Sequence, residues 1–471
     1  MEKWPKLVFP EKLTEDDLSG EVFPIPGDYD EKPGLAVIND KEMVVFTHHY
    51  HYEYPSHFSK EQLWRRCMSQ IIHTVMYRTE DGGRTWECWG HMPFHGGYEA
   101  SPTVIDGVIY VQTHEFSNLE EDHPKTIDRI FCSEDKGHSW YETQVDPAYL
   151  GASENTTMCL DRNFIRLKDG SVAGFVQVND SGAGHTVRLT TTDHGRTWKQ
   201  DSVAERGVYT DASSLTALTE AFFFRTPKTG RLMAISRVVW SQFTKEQRRN
   251  IPYAVGQDQD APIDSHTGML LLESKDEGLT WDPVRGLGYL GMMYPSVVYL
   301  NDRDFVLTYT KRTNTTKSPY PHMGVQAILG KELPDGSFQF NFEQDIVVID
   351  DRTPDYSENG CGYGTTYQLS DGSFITPYSY RVNGPVLDKI LKERAFDDET
   401  FLSYYISSKQ KRDKGLDDEE HVLDRYHAAP YDLCRHLISE FAAERGETLL
   451  KSEVLKWKLF LLNQQTELTK E

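Results

Sequence analysis

No apolar run in this chain is long enough to span a bilayer as a helix. Nor does a positively charged segment followed by an apolar one open it: the chain begins MEKWPKLVFPEKLTEDD. These two absences argue against a membrane-spanning helix and a secretory leader, so a cytoplasmic location is expected. Positive charge is scarce, with 50 Lys and Arg against 73 Asp and Glu and a net charge of −23. That balance disfavours nucleic acid or an anionic membrane as the main partner, although a local basic pocket can still hold an anionic ligand. The cysteines, Cys67, Cys88, Cys132, Cys159, Cys361 and Cys434, lack the close spacing of metal sites. Without a leader they are expected as free thiols. What the chain does have is 34 Gly, 22 Pro and an aromatic share of 12%, which suits many short strands and turns better than long helices.

One turn is present in repeated copies. Residues 191–198 read TTDHGRTW, and the pattern Ser/Thr-x-Asp-x-Gly-x-Thr/Ser-Trp recurs at 79–86 (TEDGGRTW), 133–140 (SEDKGHSW) and 274–281 (SKDEGLTW). Four copies imply a repeated structural unit. The Asp accepts hydrogen bonds from nearby backbone N–H groups and closes the turn. The Gly takes up a backbone conformation that a side chain would obstruct, and the Trp starts the next strand with a large apolar face. Asp81, Asp135, Asp193 and Asp276 therefore read as structural. Strand-like residues precede each copy, at 71–77, 127–132, 186–189 and 269–272, which makes the motif a hairpin turn.

Strands laid out around these turns give six units, at roughly 31–91, 95–146, 152–205, 212–287, 292–350 and 360–462. The prediction is an all-β fold, one six-bladed β-propeller domain over 1–471 with helical insertions in the first and last blades. The fifth and sixth units lose the turn signature, and Pro334-Asp335-Gly336 stands in for it in the fifth. The third blade is expected to open on one strand over 158–167, the fifth to end on 338–342, and the sixth to run 365–369, 373–377, 400–406 and 453–459. A seventh blade would need strands at 7–10 or 22–24. Insertions fall at 48–70, 240–267 and 381–452, with a helix expected from Lys60 and helical spacing at Leu433, Leu437, Ile438 and Phe441. Long loops of this kind often act as lids or interfaces.

In a propeller, the innermost strand of each blade begins near the axis and its hairpin partner ends nearby. Those ends are Glu31 and His49, Glu99 and His114, Asn155 and Asn179, Glu220 and Arg237, Tyr294 and Arg312, and Tyr363 and Arg381. His48, His95, Tyr98 and Lys311 sit beside them. Almost all are polar, where a packed centre would include aliphatic residues.

Four Asp-box turns on six blades resemble the sialidase superfamily, and the resemblance covers most of the chain. Glu220-Ala221-Phe222 through Ile235-Ser236-Arg237 is similar to the family's Glu opening the fourth blade's inner strand and its Arg where the next strand ends. Residues 363–372, YGTTYQLSDG, resemble the setting of the family's nucleophilic Tyr, and Arg312 falls near a family arginine of the fifth blade. The resemblance implies a glycoside hydrolase acting on a terminal acidic sugar, with Tyr363 as nucleophile and Glu220 as its base. A phenol ionises near pH 10 and needs such a base at neutral pH. Arg237 and Arg312 would grip a carboxylate with their planar forks.

The first blade departs from the family. Glu31-Lys32-Pro33 stands where sialidases carry Arg-Ile-Pro, so one clamping arginine is missing unless Lys32 or Arg381 replaces it. The loop THHYHYEYPSHF has no Asp for the acid/base role and offers His48, His49, His51, Glu53 and His57 instead. His95 and His114 bracket the second blade's inner hairpin, where imidazoles suit proton transfer near neutral pH. The catalytic candidates are thus Tyr363, Glu220, His49 and His114; the substrate-binding candidates are Arg237, Arg312, His95, His48, Glu99 and Arg381. His49-x-His51 lacks a third ligand at fixed spacing, so neither a metal nor a cofactor is expected. Two alternatives stand beside the hydrolase: a lyase acting on a uronic acid through His or Tyr, and a non-catalytic propeller binding a glycan or a protein.

Overall fold

The computed structural model describes residues 4–26, 30–50, 72–91, 98–117, 125–145, 157–180, 183–205, 220–239, 267–289, 291–312, 318–353, 362–381 and 450–460. They form six sheets arranged as the blades of a β-propeller, in the sequence order expected. The first blade runs Asp30–Val37, Met43–Tyr50, Ile72–Thr79 and Glu87–His91 from the axis outward, and the second runs Tyr98–Ile105, Val108–Ser117, Lys125–Ser133 and Tyr141–Val145. The same hairpin order continues in the blades that follow. Among the described residues, no helix is long and apolar enough to cross a membrane. The helices expected from Lys60 and over 433–441 lie outside the described residues.

The four repeated turns share one hydrogen-bond pattern. The first hydroxyl accepts from the glycine N–H, at 3.0, 2.8, 2.9 and 2.7 Å for Gly83, Gly137, Gly195 and Gly278. The Asp then accepts from the later Thr or Ser through both its N–H and its hydroxyl, as in Thr85 to Asp81 at 2.9 and 2.7 Å. In the second and third copies burial acts to raise the carboxyl pKa. The bonds from Ser139 and Thr197 outweigh it and hold Asp135 and Asp193 at about 2. Carboxylates engaged in this way close turns, which bears out their structural reading.

Each turn also joins neighbouring blades through its Trp. Trp140 meets Phe46 of the first blade, and Trp198 meets Tyr110 of the second and Phe164. Trp281, fully buried, packs between Phe175 of the third blade and Phe223 of the fourth. Trp86 packs against a cluster that joins residues of its own blade to Leu369 and Ile375 of the sixth. The glycine is needed for its backbone, with φ of 93, 91, 89 and 92 at Gly83, Gly137, Gly195 and Gly278, and in the fourth copy the preceding blade also lies close: a Cβ at Gly278 would come 2.6 Å from the Phe175 ring.

The two segments that would have made a seventh blade serve as outer strands instead. Lys6–Val8 pairs with Ile346–Asp350 on the fifth blade, and Leu18–Pro24 pairs with Leu450–Leu459 on the sixth. Leu450–Leu459 is therefore the third strand of the last blade, where it was expected as the fourth, and the proposed 400–406 strand lies outside the described residues. The pairing carries the ladder hydrogen bonds of both segments and ties the first residues of the chain to its last two blades. In the fifth blade, Phe338–Phe340 pairs only with the distal end of Gly324–Glu332, and Ile346–Asp350 takes the proximal end. The single strand expected over 158–167 is broken into Thr157–Leu160 and Ile165–Arg166, and this break matters for the site.

Candidate functional site

Four inner-strand openings place a non-glycine residue in the left-handed region: Lys32 (φ 52), Glu220 (φ 46), Tyr294 (φ 52) and Tyr363 (φ 72). Such conformations cost on the order of 1–3 kcal/mol each and persist where the surroundings impose them. Ladder irregularities accompany Lys32, between Glu31 and Gly34, and Tyr294, between Met293 and Ser296. An irregularity at a strand's start re-aims its side chain. The structure thus repeats one device at the axial ends of these blades.

Tyr363 and Tyr294, from the sixth and fifth blades, lie with ring centroids 4.3 Å apart and form a buried cluster with Met293. Tyr363 is fixed through its backbone: its N–H donates to Thr310 Oγ1 at 3.1 Å. Gly362 before it exchanges two backbone bonds with Ser379. Arg312 donates to the Tyr294 hydroxyl at 3.4 Å and places its guanidinium 5.2 Å from the Tyr363 ring. Lys32 Nζ stands 4.7 Å from the same ring. Arg162 donates from Nη2 to the Tyr363 carbonyl at 3.0 Å and lies 4.3 Å from the Tyr294 ring. Lys32, Arg162 and Arg312 are all buried, so the cations act here with little solvent screening.

Glu220 and Arg237 form a 2.6 Å ion pair, with side chains 15% and 17% exposed. This pair lies next to Arg162 along the chain contacts, because the Arg162 N–H donates to the carbonyl of Ala221 at 2.8 Å. Of the expected site residues, Tyr363, Arg312, Glu220 and Arg237 thus have described positions at the axial ends of blades four to six, with Lys32 joining from blade one. His48 and His49 lie on Met43–Tyr50 opposite Glu31 and Asp30. His114 lies opposite Tyr98, with Glu99 in the irregularity beside it. Arg381 ends Phe374–Arg381, opposite Leu450. These backbone positions are at strand ends of the kind expected. His95, like His51, Glu53 and His57, lies outside the described residues. Among the described residues, no group of three or more His, Cys, Asp or Glu is placed to hold a metal ion.

Arg162 does not stand out in the sequence, because 158–167 has the composition of one continuous strand. The signal was Asp161-Arg162-Asn163, three polar residues inside an otherwise strand-like run. Asp161 Oδ1 accepts from the Ala221 N–H at 2.7 Å, and the Asn163 amide bonds the Phe223 N–H and C=O at 2.8 and 2.9 Å. The segment leaves its own ladder to stitch itself to the fourth blade, and that frees Arg162 to point to the axis.

A second charged cluster lies between the fifth and sixth blades. Arg352 pairs with Asp350 and with Glu453, both at 2.6 Å, and its guanidinium stacks 3.5 Å from the Tyr380 ring. One guanidinium serves two carboxylates. Burial pushes Asp350 up to about 7 against the pull of Arg352. As pH rises from about 4 to that value, the unfolded chain gives up this proton while the folded protein keeps it, so stability falls across the window. Asp350→Asn removes the titration. Thermal midpoints measured across this range are expected to decline less steeply in the variant than in the wild type, and parallel curves would contradict the assignment.

No family model matches the chain, and no curated protein matches it. Among solved structures it is similar to a Dyadobacter fermentans protein of unknown function, at 16% identity and a TM-score of 0.53 over 78% of this chain and 96% of that one. It is similar also to Trypanosoma rangeli sialidase in complex with sialic acid, at 14% identity and a TM-score of 0.47, covering 81% of this chain and 58% of that one. A leech intramolecular trans-sialidase complexed with 2,7-anhydro-Neu5Ac follows at 13% identity and a TM-score of 0.47, covering 76% of this chain and 67% of that one. At these identities the likeness concerns the fold alone, a six-bladed β-propeller.

Proposed function

We propose that the protein is a glycoside hydrolase that releases a terminal acidic sugar, with Tyr363 as nucleophile. The observation that carries this reading is Tyr363 itself, held at φ 72 with two buried cations, Lys32 and Arg312, against its ring. A tyrosine that only fills a core needs neither a left-handed backbone nor cations against its face. In a chain of net charge −23, buried cations gathered on the axis supply the local positive charge that an anionic ligand requires.

In this reading Arg237 and Arg312 grip the sugar carboxylate, and Lys32 supplies the positive charge that the first blade otherwise lacks. Glu220 is the base for the Tyr363 hydroxyl. The phenol oxygen attacks the anomeric carbon while His49 or His114 protonates the departing oxygen. Water, activated by the same imidazole, then releases the sugar from the tyrosine and returns the phenol. His48, His95, Glu99 and Arg381 provide contacts around the sugar. The expected setting is the cytoplasm, and the partner is a carbohydrate.

A panel of 4-methylumbelliferyl glycosides tests the proposal: the N-acetylneuraminide, glucuronide and galacturonide, with the neutral glucoside and galactoside as controls. Turnover of an acidic member with none of the neutral ones is the expected result. An unsaturated, ultraviolet-absorbing product from a 4-O-linked oligouronide, whose C4 substituent can leave, would instead favour the lyase. Saturable binding without turnover would favour a glycan-binding propeller, a reading that draws on Glu31-Lys32-Pro33 in the first blade.

A further inference from the structure

We propose that Arg162 is a positioning residue that crosses the propeller axis from the third blade and locks Tyr363 and Tyr294 in their working arrangement. The inference rests on the reading of Tyr363 as nucleophile, although its structural half can be tested separately. One guanidinium makes two different contacts. Its Nη2 donates to the Tyr363 carbonyl at 3.0 Å, and its plane approaches the Tyr294 ring to 4.3 Å. The Tyr294 ring in turn packs 4.3 Å from that of Tyr363. Tyr363 is thereby gripped from both ends, through its backbone directly and through its ring by way of Tyr294.

The base of this strut is rigid. Asp161, the Arg162 N–H and Asn163 make four hydrogen bonds to Ala221 and Phe223, the residues that follow Glu220. Arg162 therefore connects the segment carrying Glu220 to the residue that Glu220 would activate, and it fixes their spacing across the ring. It also answers a local energetic problem. Tyr294 and Tyr363 are both held in left-handed backbone conformations, which the unaided chain would leave. A charge-assisted bond to one and a cation–π contact to the other oppose that relaxation. Only a planar fork does both at once, since a lysine ammonium of similar reach is a point charge. The contacts to carbonyl and ring also mark Arg162 as a support of the tyrosines, distinct from Arg237 and Arg312, which are assigned to the sugar carboxylate.

The test compares wild type, Arg162→Lys and Arg162→Met in steady-state kinetics on whichever panel glycoside the wild type cleaves. It adds near-ultraviolet circular dichroism and thermal midpoints, with Tyr363→Phe as the spectral reference. Misplacing a nucleophile by about an ångström lowers the rate on the order of a hundredfold, so kcat is expected to fall by about that much in both variants. KM should stay within about twofold, because ground-state binding is untouched. The tyrosine band that Tyr363→Phe removes should be lost in both Arg162 variants. If Arg162→Met does not fold, Arg162→Lys carries the comparison. A lowered midpoint with kcat and the tyrosine band unchanged would reduce Arg162 to a stability element and overturn the proposal, as would a raised KM at constant kcat. If the wild type cleaves no panel member, the hydrolase reading fails on its own. The dichroism then decides the strut: loss of the band in Arg162→Lys upholds it, and an unchanged band overturns it.

Discussion

Tyr363→Phe is expected to lower kcat on the acidic aryl glycoside by on the order of a thousandfold or more, with the fold left intact. The substitution removes one oxygen and nothing else. The ring that packs 4.3 Å from Tyr294 remains, as do the Lys32 and Arg312 contacts to its face. The backbone bonds from Arg162 and to Thr310 involve main-chain atoms and are unaffected. Stability should therefore change by no more than about 1 kcal/mol, the usual scale of a single hydrogen bond. Paired measurements of kcat and thermal midpoint check this expectation. Activity retained within about tenfold would move the nucleophile elsewhere, however well the residue sits at the axis.

The second large effect is expected one residue on. A Cβ at Gly364 would lie 1.4 Å from the carbonyl oxygen of Pro377, on the facing strand of the same blade. That neighbour is backbone, so no rotamer change relieves the clash, and the inner hairpin of the sixth blade must separate. Gly364→Ala is expected to destabilise the protein by more than about 4 kcal/mol and to abolish activity, because Tyr363 loses its frame. Gly372 in the same blade is the control. Its Cβ would meet nothing within 4 Å, but its φ of +75 is costly for a side chain, so Gly372→Ala should lose only about 1 kcal/mol. Denaturant midpoints of the two variants separate the cases, and similar midpoints would contradict the packing described.

Much of this architecture is written locally in the chain, and some is not. The repeated turns were legible because each encodes its own hydrogen bonds within a few residues, and their number led to the blade count. The axial positions of Glu220, Arg237, Tyr294, Arg312 and Tyr363 followed from strand ends alone, since a propeller brings those ends together. The roles of Lys6–Val8 and Leu18–Pro24 were not legible. Their partners lie more than three hundred residues away, and a three-residue strand against a distant edge leaves no periodic trace. Arg162 was hidden for a related reason. Thr157–Leu160 and Ile165–Arg166 look continuous by composition, and the break between them is imposed by hydrogen bonds to the fourth blade. The packing of Tyr294 against Tyr363 likewise depends on how two blades meet, which neither strand records by itself.

The central claim is that Tyr363 forms the bond to the sugar, and trapping that bond tests it most directly. The protein is incubated with an activated fluorinated analogue of the acidic sugar it cleaves, digested, and mapped by mass spectrometry. One sugar-sized mass increment on the peptide containing Tyr363, absent from Tyr363→Phe, is the predicted result. An increment on another residue, or complete turnover with no adduct on any peptide, would contradict the account.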